Sequence, residues 1–169
     1  GTGFPTHPHQ DMEIITYVRK GAITHKDNQG NEGRTEAGDV QVMSAGNGIA
    51  HSEYNLEDTD TQIFQIWILP ESRGGAPTWG AKAFPKGDRA GQFVTLASGN
   101  VPTGTNDNES PLPIRTDAKV LGATIKAGES VTYDVSSDRR HLYLVPATGR
   151  IQIADTIAKA RDGVAITKA

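Results

Sequence analysis

His7 and His9 stand two residues apart in "GFPTHPHQDMEIITYV", and His51 and Glu53 repeat that spacing in "GNGIAHSEYN". In an extended chain, residues i and i+2 project to the same side, one strand repeat apart. Each pair can therefore turn two donor atoms towards one ion. The chain has no cysteine, so a metal would have to be held by nitrogen and oxygen alone. Three imidazoles and one carboxylate suit Fe, Mn, Ni, Cu or Zn. Such a set leaves coordination positions open for water, substrate or dioxygen, which is what separates a catalytic ion from a structural one. The histidines must bind as neutral imidazoles with the other ring nitrogen fixed by an outer acceptor, so affinity should fall as pH drops through roughly 6.5. Glu13 shares the parity of His7 and His9. It competes with Glu53 for the fourth place, or lies behind the ligands as an acceptor. His25 and His141 sit in ordinary strand contexts and read as solvated or hydrogen-bonded strand residues.

The elements that must position these groups are strands. A period of two recurs along the whole chain, with no sustained helical stripe. The runs are "EIITYV", "AITHKD", "GDVQVMSA", "QIFQIWIL", "QFVTLA", "KVLGATIKA", "SVTYDV", "HLYLVPA", "RIQIAD" and "GVAIT". Turn signals separate them, among them "NQGNEG", "ESRGG" and "KAGES". Many short strands with Gly-rich turns argue for an all-β sandwich or barrel. The stretch from Pro70 to about Gln92 has little alternation and reads as a linker, and 100–113 reads as an exposed loop.

A faint internal repeat sets "VRKGAITH" beside "PATGRIQI" and "AGDVQV" beside "RDGVAI". In that register Val135 and Ser137 fall opposite His7 and His9, so the second copy lacks the histidine pair. The 169 residues fit one large or two small domains. The net charge is −3 and the pI about 5.9, which gives no electrostatic footprint for nucleic acid or an anionic membrane. No apolar run approaches the roughly 20 residues of a membrane span, and no signal-peptide pattern is present. The expectation is a soluble, cytoplasmic protein. Both ends read as cut: the chain opens without Met on the histidine motif and stops at "GVAITKA", within a strand pattern.

Gly1, five residues, His7-Pro8-His9, three residues and Glu13 resemble the first cupin motif, with its closing glycine, Gly21, one residue late. Gly38 through Gly48, then His51 and Asn55, resemble the second, with Ser44 or Asn47 where proline is usual. In detail "THPHQDMEIITYV", "HKDNQGN" and "GDVQVMSAGNGIAHSEYN" closely resemble the pirin family, especially its bacterial quercetin 2,3-dioxygenase-like members. The resemblance spans roughly residues 1 to 70.

The resemblance implies an all-β bicupin, two double-stranded β-helix jelly rolls, with a metal-binding N-terminal cupin over 1–80 and an incomplete C-terminal cupin over 81–169 that lacks ligands. It implies one divalent transition metal per chain, iron first, with Mn, Ni, Cu or Zn as the others. Carried over position by position, the ligands are His7, His9, His51 and Glu53, which resolves the fourth place in favour of Glu53 and leaves Glu13 behind the ligands. The implied activity is a metal-dependent dioxygenase that cleaves flavonols such as quercetin with O2 and releases CO, with Glu53 taking the proton of the 3-hydroxyl. Phe4, Met43, Phe64 and Ile66 are candidate pocket or core residues. The implied partners are a small aromatic substrate and O2, with a monomeric chain. Because a family does not fix one function, the alternative is a metal-binding regulatory or redox-sensing protein that docks onto a protein partner.

Overall fold

The computed structural model describes residues 1–84, 86–101, 110–135, 137 and 139–167. Most of the alternating runs become strands, and one short 3-10 turn, Lys86–Arg89, is the single helical element among the described residues. The chain forms two compact units, Gly1–Val131 and Thr132–Ala169.

The first unit is built on β1 (Thr2–Lys20), β2 (Ala22–Asp27), β3 (Glu32–Glu36), β4 (Val40–Asn55), β5 (Gln62–Ile68) and β6 (Thr78–Lys82). They form one sheet in the order β3-β2-β4-β1-β5, with β6 also paired to β4. A three-stranded sheet follows, β8 (Leu112–Pro113), β7 (Val94–Ser98) and β9 (Lys119–Gly122) in the order β8-β7-β9. In the second unit β10 (His141–Leu144) pairs with β13 (Val164–Thr167), and β11 (Arg150–Ile153) pairs with β12 (Thr156–Lys159).

Several elements differ from the sequence expectation. β1 begins well before its alternating run and passes through Pro5, which lies in the register shift between Phe4 and His7, and Pro8, which stays in register opposite Ala50; a second shift falls between His9 and Asp11. A proline gives no ladder hydrogen, so an irregular segment is where it is tolerated. β4 continues beyond the "GDVQVMSA" run, through Gly46 and Gly48, to Asn55. The expected linker holds β6 and the 3-10 turn, and β6 is tied to β4 from Val40↔Lys82 to Ser44↔Thr78. "SVTYDV" forms no strand over its described residues, and "KVLGATIKA" is strand only over Lys119–Gly122. Of the expected loop at 100–113, residues 102–109 lie outside the described residues.

The central sheet buries both faces. On one, Ile15, Val40 and Val42 pack with Phe84, Leu96, Ala97 and Ile114. On the other, Ile14, Met43, Ala45 and Ile49 form a second cluster against which Met12 and Trp79 lie. Each such aliphatic side chain contributes roughly 1.5–3 kcal/mol by leaving water. A bulge decides which residues of β1 face which cluster. Asp11 has a φ of 63°, pairs with Gly46 and accepts the Gly74 amide at 2.8 Å. Gly46 itself has a φ of 51°, and a Cβ there would run into the Gly75 carbonyl. Each extra residue in a bulge reverses the side-chain parity beyond it.

Candidate metal centre

The facing ladder of β1 and β4 puts His7 directly opposite His51, and His9 opposite Ile49. The three histidines converge, with one ligating nitrogen from each within 4.8 Å of the others. The His9 ring lies 4.8 Å from that of His7 and 5.0 Å from that of His51. His51 is buried, whereas His7 and His9 are half-buried, so the group is reachable from one side. A cavity of about 450 Å³ opens beside it, lined by Pro8, His9, Asn28 and Ile49 among others.

The hydrogen bonding of these rings suits a cation. The Pro5 carbonyl can only accept, and it lies 2.7 Å from His7 Nδ1, so the ring hydrogen sits there and Nε2 is a bare lone pair. That lone pair lies 3.1 Å from His51 Nε2. Imidazole nitrogens about 3 Å apart are where two ligands of one first-row ion would sit, given metal–nitrogen bonds of roughly 2.0–2.1 Å. Burial, then the charges of His25, His7 and His9, pushes the His51 pKa down to about 3. Burial, then His7, lowers that of His9. Both shifts favour the neutral imidazole that a metal requires.

Glu53 stands two residues along β4 and is equally buried. It falls into a second group, with His25 and His51, rather than into the histidine trio. Its oxygens are engaged: Gln41 Nε2 donates to Oε1 at 2.7 Å, Gln65 Nε2 to Oε2 at 2.8 Å, and the Thr16 hydroxyl to Oε1 at 3.5 Å.

His25, read from the sequence as an ordinary strand residue, belongs to this site. Its ring is fully buried, pairs in register with Glu53, and stacks on Trp79 at 4.7 Å and 9°. Nδ1 lies 3.3 Å from His51 Nδ1, and Nε2 lies 2.8 Å from Asp27 Oδ2. Asp27 in turn accepts the amides of Gln29 and Asn31 on Oδ1, at 2.9 and 3.0 Å, and the Asn31 side-chain amide on Oδ2 at 2.9 Å. Burial alone would raise the Asp27 pKa, but the hydrogen bonds from His25, Asn31 and Gln29 outweigh it and hold the carboxyl below its ordinary value. The sequence signal was "HKD": His25 and Asp27 share the i, i+2 spacing of His7/His9 and His51/Glu53.

Glu13 is not behind the ligands. The bulge at Asp11 turns it to the opposite face, where Oε2 accepts the Ser44 hydroxyl at 2.7 Å and the Arg115 amide at 3.0 Å. Of the candidate pocket residues, Phe4 is 55% exposed with its ring edge-on to His7. Met43 is core, and Ile66 packs on the cluster of the opposite face. Phe64 pairs with Tyr17 and lies under the Arg19 guanidinium, also away from the histidines. Trp67 was not singled out by sequence. It is 53% exposed, edge-on to His9 at 5.0 Å, and donates through Nε1 to Gln65.

Residues 1–68 match the pirin family model, and residues 94–169 match the model described as a quercetinase C-terminal cupin domain. A pirin-like protein of Caulobacter vibrioides is 66% identical over 165 residues, which cover 98% of this chain and 68% of that relative. A quercetin 2,3-dioxygenase of Escherichia coli is 34% identical over 167 residues, again covering 98% of this chain and 68% of the relative. The crystal structure of the bacterial pirin YhhW from Escherichia coli in complex with nickel(II) matches with a TM-score of 0.86 at 34% identity, over 100% of this chain and 69% of that one. Residues, fold and relatives agree: this all-β chain, built from cupin domains, belongs to the pirin family.

Proposed function

We propose that the protein is a metal-dependent dioxygenase that cleaves flavonols such as quercetin with O2 and releases CO, with one divalent transition metal held by His7, His9, His51 and Glu53. The observation that carries this reading is the approach of His7 Nε2 to His51 Nε2 at 3.1 Å with the His7 hydrogen committed to Pro5. His9 completes a histidine trio beside an open cavity. The quercetin 2,3-dioxygenase of Escherichia coli and the nickel(II) complex of its pirin support the same reading from relatives.

When bound, the ion would supply Lewis-acid polarisation of substrate oxygens and a route for electron density between the organic substrate and O2. The chain's own contribution is positional. His7, His9 and His51 turn one nitrogen each towards a common point, and an open depression of about 450 Å³ lies beside His9. Glu53 is the fourth donor and the base for the 3-hydroxyl proton. To act so, it exchanges one of its amide partners, Gln41 or Gln65, for the substrate hydroxyl, since a base must lie within hydrogen-bond reach of the proton it takes. The boundary between the metal-binding cupin and its partner is proposed near residue 80, between the two family matches. No helix among the described residues is long and apolar enough to cross a membrane, and the cytoplasm is the proposed location.

The test is purified full-length protein loaded separately with Fe(II), Ni(II), Mn(II), Cu(II) or Zn(II). About one ion per chain and consumption of O2 with quercetin, accompanied by CO, are expected for at least one metal. Metal-replete protein that makes no CO and consumes no O2 would rule the enzyme reading out.

A further inference from the structure

We propose that Asp27 and His25 form a positioning relay that fixes the tautomer of His51, so that its Nε2 lone pair faces the ion. This rests on the reading that His7, His9 and His51 hold a metal, and extends it to two residues that do not touch the ion. Asp27 accepts on both oxygens from the turn that holds it, so against His25 it can only accept, and the His25 hydrogen sits on Nε2, 2.8 Å away. With its one hydrogen there, His25 offers a lone pair at Nδ1. The ring atom facing that lone pair is His51 Nδ1 at 3.3 Å, and a bond there requires the His51 hydrogen on Nδ1. The remaining nitrogen of His51, Nε2, is left bare towards His7.

The two rims of the trio are thus set by different devices. A backbone carbonyl, Pro5, does for His7 what a buried carboxylate does for His51 through an intervening ring. The longer route has a further effect. A carboxylate behind a ligating imidazole raises its basicity as well as fixing its orientation. Trp79 lies flat on His25 and keeps the middle ring of the relay from turning. The relay requires a single hydrogen on His25, because a second one on Nδ1 would force His51 into the wrong tautomer.

The test uses the uniformly 15N-labelled full chain in its metal-free form at pH 8, with ring-nitrogen spectra that distinguish Nδ1–H from Nε2–H imidazoles, and nickel(II) titration alongside. In the wild type, His25 should be Nε2–H, and His51 should be Nδ1–H. Asp27→Asn keeps an oxygen for the Gln29 and Asn31 amides and turns an N–H towards His25. It should reverse both tautomers and weaken nickel(II) binding by about 10- to 100-fold. Asn31→Ala loosens the same turn without changing the polarity facing His25, and should leave both tautomers and the affinity near wild type. A wild-type His51 found as Nε2–H overturns the relay, as does an Asp27→Asn protein whose His51 tautomer and nickel(II) affinity are unchanged. Equal loss of affinity in Asn31→Ala with unaltered tautomers also overturns it. A wild type that takes up no nickel(II) counts against the metal centre itself, while the tautomers, read without metal, still judge the relay.

Discussion

The Trp79 and His25 rings lie 9° from parallel with their centroids 4.7 Å apart, and Trp79 is seated there because the residue next to it, Gly33, has no side chain. A Cβ at Gly33 would overlap Trp79 Cη2 and stand 3.0 Å from Cζ3. β3 thus supports the site through an aromatic wedge on β6, although neither strand contributes a ligand.

Gly33→Ala should therefore destabilise the protein by about 1–3 kcal/mol, the ordinary cost of overpacking a filled interior. The midpoint of urea unfolding should fall with an unchanged slope. A midpoint equal to wild type would mean that Trp79 has room the structure does not give it.

His51→Ala removes a buried ring that belongs to both the trio and the His25 contact. Metal retention after gel filtration should fall at least as far as the roughly 100-fold upper end seen when an outer partner is lost. Turnover of quercetin should disappear with it. Elemental analysis and an oxygen electrode check the two halves separately, and a variant that keeps one ion per chain would place the site elsewhere.

Glu53→Gln preserves shape and changes what the oxygens can do. The three histidines remain, so most of the metal should stay. Turnover should fall by about 10²–10⁴-fold, the range for loss of a general base. A fall in metal content without a change in turnover per bound ion would make Glu53 a ligand only.

The pH response follows from His51 and His9, whose pKa values are lowered, that of His51 to about 3. A depressed histidine pKa means the unfolded chain binds more protons than the folded one between the two values, so stability rises with pH there. The metal-free protein should lose stability as pH falls from roughly 6.5, the unfolded value, towards about 3. Thermal unfolding between pH 8 and 4 measures it, and a midpoint that rises on acidification would contradict the sign. Proton competition for His51 also sets in well below the neutral region, so metal should be held to lower pH than ordinary histidines would allow.

The candidate pairs were legible because i, i+2 spacing in a strand is local geometry. Nothing beyond the sequence is needed to set His7 beside His9, whereas Glu53, with the same spacing from His51, falls with His25 and His51 rather than into the trio. The β2–β4 register could not be read in that way: it brings Asp27 opposite His51 and His25 opposite Glu53. His25 consequently looked ordinary. Glu13 was misread for a different reason. Parity counting assumes a regular strand, and the residue that breaks the regularity is Asp11, an L-residue at a positive φ of 63° with no glycine to advertise it. The supposed linker failed because β6 is a short run whose strand character comes from the edge of β4 it covers, rather than from its own alternation.

His7 and His51 are 44 residues apart, and what brings them face to face is the β1–β4 ladder itself. No shorter segment of the chain contains the trio, so a chain in which β1 and β4 are unpaired offers an ion at most the His7–His9 pair. Metal uptake is then a reporter of strand pairing. Ion concentrations above the dissociation constant would lock the two strands together by mass action alone, and during synthesis the full trio exists only once β4 has reached His51 and paired with β1.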